Sequence, residues 1–528
     1  MTLDPRRLSV LALYGLALVA LGLPLACTST PTDPAIEPAD EKRVNLMEGA
    51  TWTYSIDDGA TFTDETPTVA TAGQTHFAAR TEFEVTDLTG IEVLELVHKV
   101  PALSDYQFRL NGAEIPQPLK DMRYSAIPGL PPSLVKIGKN VLEADITWKG
   151  PERDTVDEKT KKYKCPVKSQ LYGYGPGHLQ MDVGPMLGAF GPDFFTVTCR
   201  TNMARAVRLD CLEGQRGEIA TSPKGYYHRF QVKRDMTKHA PYLLDAGGGV
   251  TAEFQSPVYP AADKPFRMVI LGDNRTNPKD WKKVAEAAAA QSPALVVHTG
   301  DFVGAGKDGA LWPKEFYAPA KAILASAPIY PIFGNHEWEA TILQEVFWTP
   351  GEDGKQPNWS QQVGDVLLVG LDGRLNWSED GENYPWLAKT LAQSKAKYIF
   401  VFSHYPAYSS GRHGVEVFGK AWEKTARQAR DLLVPLMVKH KVAAFFCGHD
   451  HFYERSELPG GLTEIITGGA GAPRYAKSKA AEDQNPYGKV FLSKTHFCVI
   501  DVQADKASLK ALQPDGEEID SLEFKPRN

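Results

Sequence analysis

Hydrophobic and polar positions follow one rhythm in the first half of the chain and another in the second. From Arg43 to about Gly150, runs such as "ATWTYSI", "TEFEVTDL" and "IEVLELV" alternate or cluster β-forming residues between Gly, Asp and Pro. That texture predicts short strands joined by turns, and so a β-sandwich. A second β-rich block runs from about Gly184 to Tyr259, with "FFTVTCRTN", "ARAVRLDCLEG", "GYYHRFQVK" and "APYLLDA" at sandwich spacing. After Asp263 apolar runs alternate with helical ones. "KPFRMVIL" precedes "PKDWKKVAEAAAAQ", "PALVVHTG" precedes "LWPKEFYAPAKAILAS", and "APIYPIFG" precedes "EWEATILQEVFW". "AKYIFVFS" is followed, after a long loop, by "KAWEKTARQARDLLVPLMVKH". Strands alternating with helices predict an α/β domain around a largely buried sheet. Further strands are expected at "DVLLVGLD", "LTEIITGG" and "HFCVIDVQ".

The N-terminus fits neither rhythm. Arg6 and Arg7 precede an uncharged run, Leu8 to Ala26, and Cys27 follows at once. A basic start, an apolar run and a small residue at the cut describe an export signal. The Ala26–Cys27 junction resembles the lipobox of bacterial lipoproteins, which implies lipid on Cys27 and a membrane partner through that anchor. The alternatives are an uncleaved membrane span and plain secretion. All three place the body of the protein outside the cytoplasm, in the periplasm, on the cell surface or secreted. Residues 28–42, rich in Pro, Thr and acidic groups, read as a tether. The expected organisation is therefore multidomain: signal peptide 1–26, tether 27–42, a β-sandwich or jelly-roll-like domain 43–165, a second sandwich 175–262, and the α/β domain 263–528. A length of 528 residues agrees with two to four domains. The net charge of −7 gives no reason to expect a nucleic-acid-binding surface. Of six cysteines, Cys199 and Cys211 lie in neighbouring strand-like runs and could pair, Cys447 and Cys498 read as buried hydrophobes, and Cys165 has no evident place.

Five polar clusters follow the apolar runs: "GDNR" (272–275), "GDFVG" (300–304), "GNHE" (334–337), "SHYP" (403–406) and "GHDH" (448–451). Each lies where a strand would emerge, and loops at the carboxyl ends of strands converge on one edge of a sheet. Asp, Asn and His supply oxygen and imidazole donors, which suit Mn, Fe or Zn; a structural zinc site would favour cysteine. The donors exceed the needs of one ion, so two divalent or mixed-valence ions are implied. Any one cluster alone would read as a structural loop.

Together the five clusters resemble the calcineurin-like metallophosphoesterase family. "GHDHFYER" and "GNHE", with "SHYPAYSSGRHG", "GGAGAPRY" and "THFCVIDV", are most similar to its purple acid phosphatase branch. The resemblance covers about Arg267 to Val502. It implies a two-sheet αββα sandwich for 263–528 and a fibronectin-III-like domain before it. "KIGKNVLEADITW" resembles a turn and strand of jelly-roll modules. Carried over by residue, Asp273 and His451 would bind a first metal and Asn335, His404 and His449 a second, with Asp301 as the bridge. On an extended chain His449 and His451 would point the same way and Asp450 away. His336 would be the catalytic histidine that holds no metal, His413 a substrate contact, and metal-held hydroxide the nucleophile. The family usually has a histidine at position 275, or in the purple branch a tyrosine at position 304. Arg275 and Gly304 stand there instead, so the first metal lacks a ligand and Arg275 becomes a candidate for binding phosphate and assisting catalysis. The activity implied is phosphomonoester hydrolysis. The rivals are a phosphodiesterase or nucleotide hydrolase on the same site, and a non-catalytic cell-surface binding protein.

Overall fold

The computed structural model describes residues 43–527 except 70–74, 101–103, 116–125, 149–162, 165–166, 215–216, 263, 307–310, 338–342, 352–353 and 415–423. The expected signal peptide, the tether, Cys27 and Cys165 lie outside the described residues. Among those described, no helix is long and apolar enough to cross a membrane.

The first β-rich block forms two antiparallel sheets. One orders Val44–Asn45, Lys168–Tyr174, Val93–Lys99 and Ala126–Leu130; the other orders Trp52–Ser55, Thr75–Val85, Gly138–Trp148, Ser104–Leu110 and Ala113–Glu114. Alternation decides what they bury. Leu142, Ala144, Ile146 and Trp148 of one strand point inward and join Leu94, Leu96 and Leu171 of the facing sheet in one core. The "KIGKN" turn is held by Asn140, fully buried, whose amide donates to the Lys136 and Gly138 carbonyls at 2.8 Å each. Gly138 has φ +98°, where a side chain would strain the backbone. The strand Lys168–Tyr174 pairs back onto Val93–Lys99, so the block closes beyond residue 165.

The second block has a three-stranded sheet (Met181–Phe190, Phe194–Arg205, Gly225–Lys233) and a four-stranded one (Gly217–Thr221, Arg208–Cys211, Pro241–Asp245, Thr251–Gln255). The pairing open to Cys199 and Cys211 is not formed, and both are free thiols. They sit on strands of different sheets; Cys199 is buried in the core, whereas Cys211 Sγ donates to the Glu213 carbonyl at 3.2 Å. Ala189 N–H donates to the Trp348 carbonyl, and Arg229 lies over the Trp348 ring at 4.3 Å, which docks this block on the α/β part.

Two sheets build the rest. A six-stranded sheet orders Ile329–Pro331, Leu295–His298, Phe266–Leu271, Phe497–Val502, Ala507–Leu512 and Glu518–Phe524. A seven-stranded sheet orders Trp359–Val363, Val366–Gly370, Tyr398–Phe402, Ala444–Cys447, Thr463–Thr467, Tyr453–Glu457 and Gly488–Leu492. Phe266–Leu271, Leu295–His298 and Ile329–Pro331 pair in parallel, as do Val366–Gly370, Tyr398–Phe402, Ala444–Cys447 and Thr463–Thr467, as continuous apolar runs predict, whereas Trp359–Val363 joins its sheet antiparallel. Alternate residues face different layers. Met268, Ile270, Leu295 and Val297 meet Leu368, Phe400, Phe402 and Phe446 between the sheets. Val269, Leu271 and Val296 face Trp281, Val284, Ala285 and Ala288 of the helix Pro278–Ala290. Val369, Val401 and Phe445 face Leu387 and Leu391 of the helix Asn383–Gln393, with Leu433 and Met437 beside them. The order is thus helix, sheet, sheet, helix. Each fully buried Leu, Ile or Phe contributes ~1.5–3 kcal/mol.

Two helical expectations changed form. "LWPKEFYAPAKAILAS" begins with a π-helical turn, Trp312–Tyr317, before the α-helix Ala318–Ser326. In the "DLLVP" region a π-helical turn, Ala429–Leu433, precedes Val434–Lys439. Pro435 has no N–H to close a bond onto Asp431, so the turn before it widens.

Candidate metal centre

All five clusters follow strand ends and meet where the carboxyl edges of the two sheets come together. The strands Phe266–Leu271, Leu295–His298 and Ile329–Pro331 carry Asp273, Asp301 and Asn335; Tyr398–Phe402 and Ala444–Cys447 carry His404 and His449. Sharp reversals aim the donors. Asp273, Asp301 and His449 have φ of +58°, +57° and +72°. Left-handed backbone at such residues costs ~1–2 kcal/mol each, and the surrounding packing must supply it. The glycines allow close approach: a methyl group at Gly334 would collide with Asp301 Oδ1 and the His404 ring, and one at Gly448 with Asp273 Oδ2.

His404 Nε2 lies 3.1 Å from Asn335 Oδ1, 3.1 Å from His449 Nδ1 and 3.3 Å from Asp301 Oδ1. Its Nδ1 faces the Thr299 carbonyl at 2.9 Å, so the proton of the neutral ring belongs there and Nε2 presents a lone pair. His451 repeats the device. Its Nδ1 faces the Pro473 carbonyl at 2.6 Å, and its Nε2 lies 3.6 Å from Asp273 Oδ1. Asp273, Asp301 and His404 are buried and close enough to hold one ion together. Asp273 accepts the His449 backbone N–H on both oxygens, at 3.0 and 3.1 Å.

The electrostatics fit a cation. Burial, followed by the charge of Asp301, pushes Asp273 well above the usual carboxylate range. At Asp301 burial acts in the same direction, but His404, His336, His449 and Arg275 together pull it down to about 2. A positive ion among these groups would remove the conflict, and the lone pairs converging on it are its natural ligands.

Residues 266–453 match the calcineurin-like phosphoesterase family model. These residues form a calcineurin-like metallophosphoesterase domain. The match assigns the domain to the phosphoesterases. Tartrate-resistant acid phosphatase type 5 of Sus scrofa is 26% identical over 138 residues, 25% of this chain and 38% of that protein. A probable inactive purple acid phosphatase 27 of Arabidopsis thaliana is 22% identical over 295 residues, 49% of this chain and 45% of that one. The matches thus span under half the length of these relatives. Purple acid phosphatase PPD1 from yellow lupin (Lupinus luteus) seeds superposes with a TM-score of 0.58 at 16% identity, over 90% of this chain and 96% of that one. This likeness is one of fold.

Within the metallophosphoesterase domain the remaining candidates fall close by. His336 Nδ1 donates to the Gly304 carbonyl at 2.6 Å, and its Nε2 lies 3.7 Å from Asp301 Oδ2. Its side chain is 26% exposed, open toward the mouth of the site. The His413 ring lies tilted at 44° against that of His449, with centroids 3.9 Å apart. Arg275 is 14% exposed; its Nε donates to Asp301 Oδ2 at 3.2 Å and its Nη2 lies 3.4 Å from His451 Nε2. Asp450 does point away, taking the Ser409 hydroxyl. Neither 273–275 nor 449–451 is extended, however. Turns, not the alternation of a strand, bring these side chains together.

Other supports went unrecognised in the sequence. Glu337, fully buried, accepts the N–H groups of Asp301 (2.9 Å), Phe302 (2.9 Å) and Gly334 (3.0 Å). Burial, and next the Asp301 charge, push its carboxyl up to about 8 against those three bonds. The signal was its place at the end of "GNHE". Glu315 accepts from Thr276 N at 3.0 Å and Gly304 N at 2.6 Å, which ties two metal loops together. Nothing local in the sequence marks it. Tyr475 stacks on His451 at 4.0 Å, under the Arg412 guanidinium.

Proposed function

We propose that this protein is an exported, metal-dependent phosphoesterase whose leading substrates are phosphomonoesters. The observation that carries the reading is the gathering of Asp273, Asp301, Asn335, His404, His449 and His451 around one cluster, with His336 partly exposed beside the shared carboxylate. These six residues would hold the ions, which are Fe, Mn or Zn by their oxygen and imidazole donors. When bound, such ions polarise a phosphoryl oxygen and lower the pKa of water. His336, with its Nδ1 proton committed to the Gly304 carbonyl, presents Nε2 to the reacting group and can hold or return a proton at the leaving oxygen. Arg275 keeps a permanent positive charge beside Asp301, where phosphate oxygens would gather. His413, its ring tilted against that of His449, would touch the substrate. Export and a lipid anchor on Cys27 rest on the sequence of residues 1–27.

The test is parallel hydrolysis of p-nitrophenyl phosphate and bis-p-nitrophenyl phosphate by the full chain, before and after chelation and reloading with Mn or Zn. The reading expects faster cleavage of the monoester, loss on chelation and recovery on reloading. Faster diester cleavage would make it a phosphodiesterase. A second reading, a binding protein without catalysis, is favoured by relatives named as probable inactive purple acid phosphatases. A metal-loaded chain that cleaves neither ester would establish it.

A further inference from the structure

We propose that the two halves of this centre bind ions unequally, because one half already contains a cation of its own, the Arg275 guanidinium. This deepens the metal-dependent reading above and rests on it. On one side, Asn335 Oδ1, His449 Nδ1 and Asp301 Oδ1 surround His404 Nε2 at 3.1–3.3 Å. These four atoms converge where an ion would sit, and Asp301 Oδ1 also accepts the His336 N–H at 3.2 Å. On the other side stand Asp273, Asp301 Oδ2 and His451. There Arg275 donates Nε–H to Asp301 Oδ2 and directs Nη2 at His451 Nε2. With His451 Nδ1 committed to the Pro473 carbonyl, Nε2 is the nitrogen a metal would need, and Arg275 takes it.

Arg275 is anchored in that place. Asp273 N–H donates to the Gly300 carbonyl at 2.9 Å, and Thr276 N–H to Glu315 at 3.0 Å, so the backbone is held on both flanks. A guanidinium carries five N–H donors and no acceptor, so Arg275 fills this half without offering an ion a ligand. A second ion must break both contacts and then sit beside a displaced positive charge. Hydrogen bonds to charged groups are strong enough that this weakens the second ion about a hundredfold or more relative to the first. Gly304 adds no competing ligand, since its carbonyl holds His336 and its N–H holds Glu315.

The experiment is Mn²⁺ titration of the chelator-stripped full chain, read by calorimetry, by metal content after dialysis, and by electron paramagnetic resonance. The wild type is expected to retain one ion with the spectrum of isolated Mn²⁺. Arg275→Ala and Arg275→Gln are expected to retain two, with the spectrum of an exchange-coupled pair. A wild type that takes two ions with affinities within ~tenfold overturns the inference and leaves the phosphoesterase reading standing. Variants that still retain a single ion, in folded protein by circular dichroism, overturn it as well. A wild type that takes no ion overturns both readings.

Discussion

Replacing Glu337 by alanine removes the one carboxylate that holds three backbone N–H groups of two metal-carrying loops. The space around it is closed, so those groups lose their acceptor. Each buried N–H left unpaired costs ~1–3 kcal/mol. Two effects offset the sum. Water can enter the vacated volume, and the repulsion between Glu337 and Asp301 disappears, the same repulsion that helps push Glu337 up to about 8. We expect a net loss of ~3–5 kcal/mol, a large share of the ~5–15 kcal/mol that holds a typical domain. Glu337→Gln discriminates. Its remaining oxygen can serve Asp301 and Gly334, which share Oε2, but its amide turns a donor toward Phe302 N–H. It should lose about half as much. Urea denaturation in chelator measures the stability without metal, and hydrogen exchange of the 299–306 segment reads the loop directly. If the alanine variant stays within ~0.5 kcal/mol of wild type with undiminished protection, Glu337 does not hold these loops.

Other outcomes follow from the same geometry. His336→Ala should keep its metal content yet lose ~10²–10⁴-fold in kcat, whereas Asp301→Asn should lose metal; metal analysis beside kinetics separates them, and an emptied site in His336→Ala refutes the division of roles. Burial holds His496 and His98 near a pKa of about 4, below the ordinary 6.5. The unfolded chain therefore takes up these protons first, and stability should be intact above pH 6.5 and fall as the pH drops from 6.5 toward 4, by up to ~3 kcal/mol for each histidine. His496→Gln should flatten that decline in urea midpoints measured between pH 7.5 and 4.5, and an unchanged slope would count against the assignment. Cys27→Ala should release the protein from membranes or block its processing, and a wild type found wholly in the soluble fraction would dismiss the anchor.

The layered domain and its five clusters were legible because the signals are local. A buried parallel strand shows as a continuous apolar run, and a loop that must leave it sharply shows as glycine followed by a polar donor. Asp273, Asp301, Asn335 and His449 each follow a glycine at such an exit, whereas His404 follows Ser403 and His451 was picked out by its cluster with His449. What failed was local geometry inferred from strand alternation. Left-handed turns at Asp273 and His449 orient these side chains. Glu315 was invisible because its partners, Thr276 and Gly304, are far from it in sequence. The strands Ala507–Leu512 and Glu518–Phe524 escaped for another reason. They are half-buried and rich in charge, so only Ala507, Leu509 and Ala511 on one face mark the first of them.

The strand Phe497–Val502 governs when the Asp273 strand can be completed. Phe266–Leu271, which leads into Asp273, is flanked on one side by Leu295–His298 and on the other by Phe497–Val502, which pairs Cys498 with Ile270. During synthesis this strand emerges long before its second neighbour exists. Until the final segment arrives, one edge of it stays open and presents unpaired backbone groups to any other strand. The last part of the chain is therefore no appendage. A message cut short before residue 497 would yield every proposed metal ligand and still leave the Asp273 strand without its second neighbour, so that strand is completed only once Phe497–Val502 has been made.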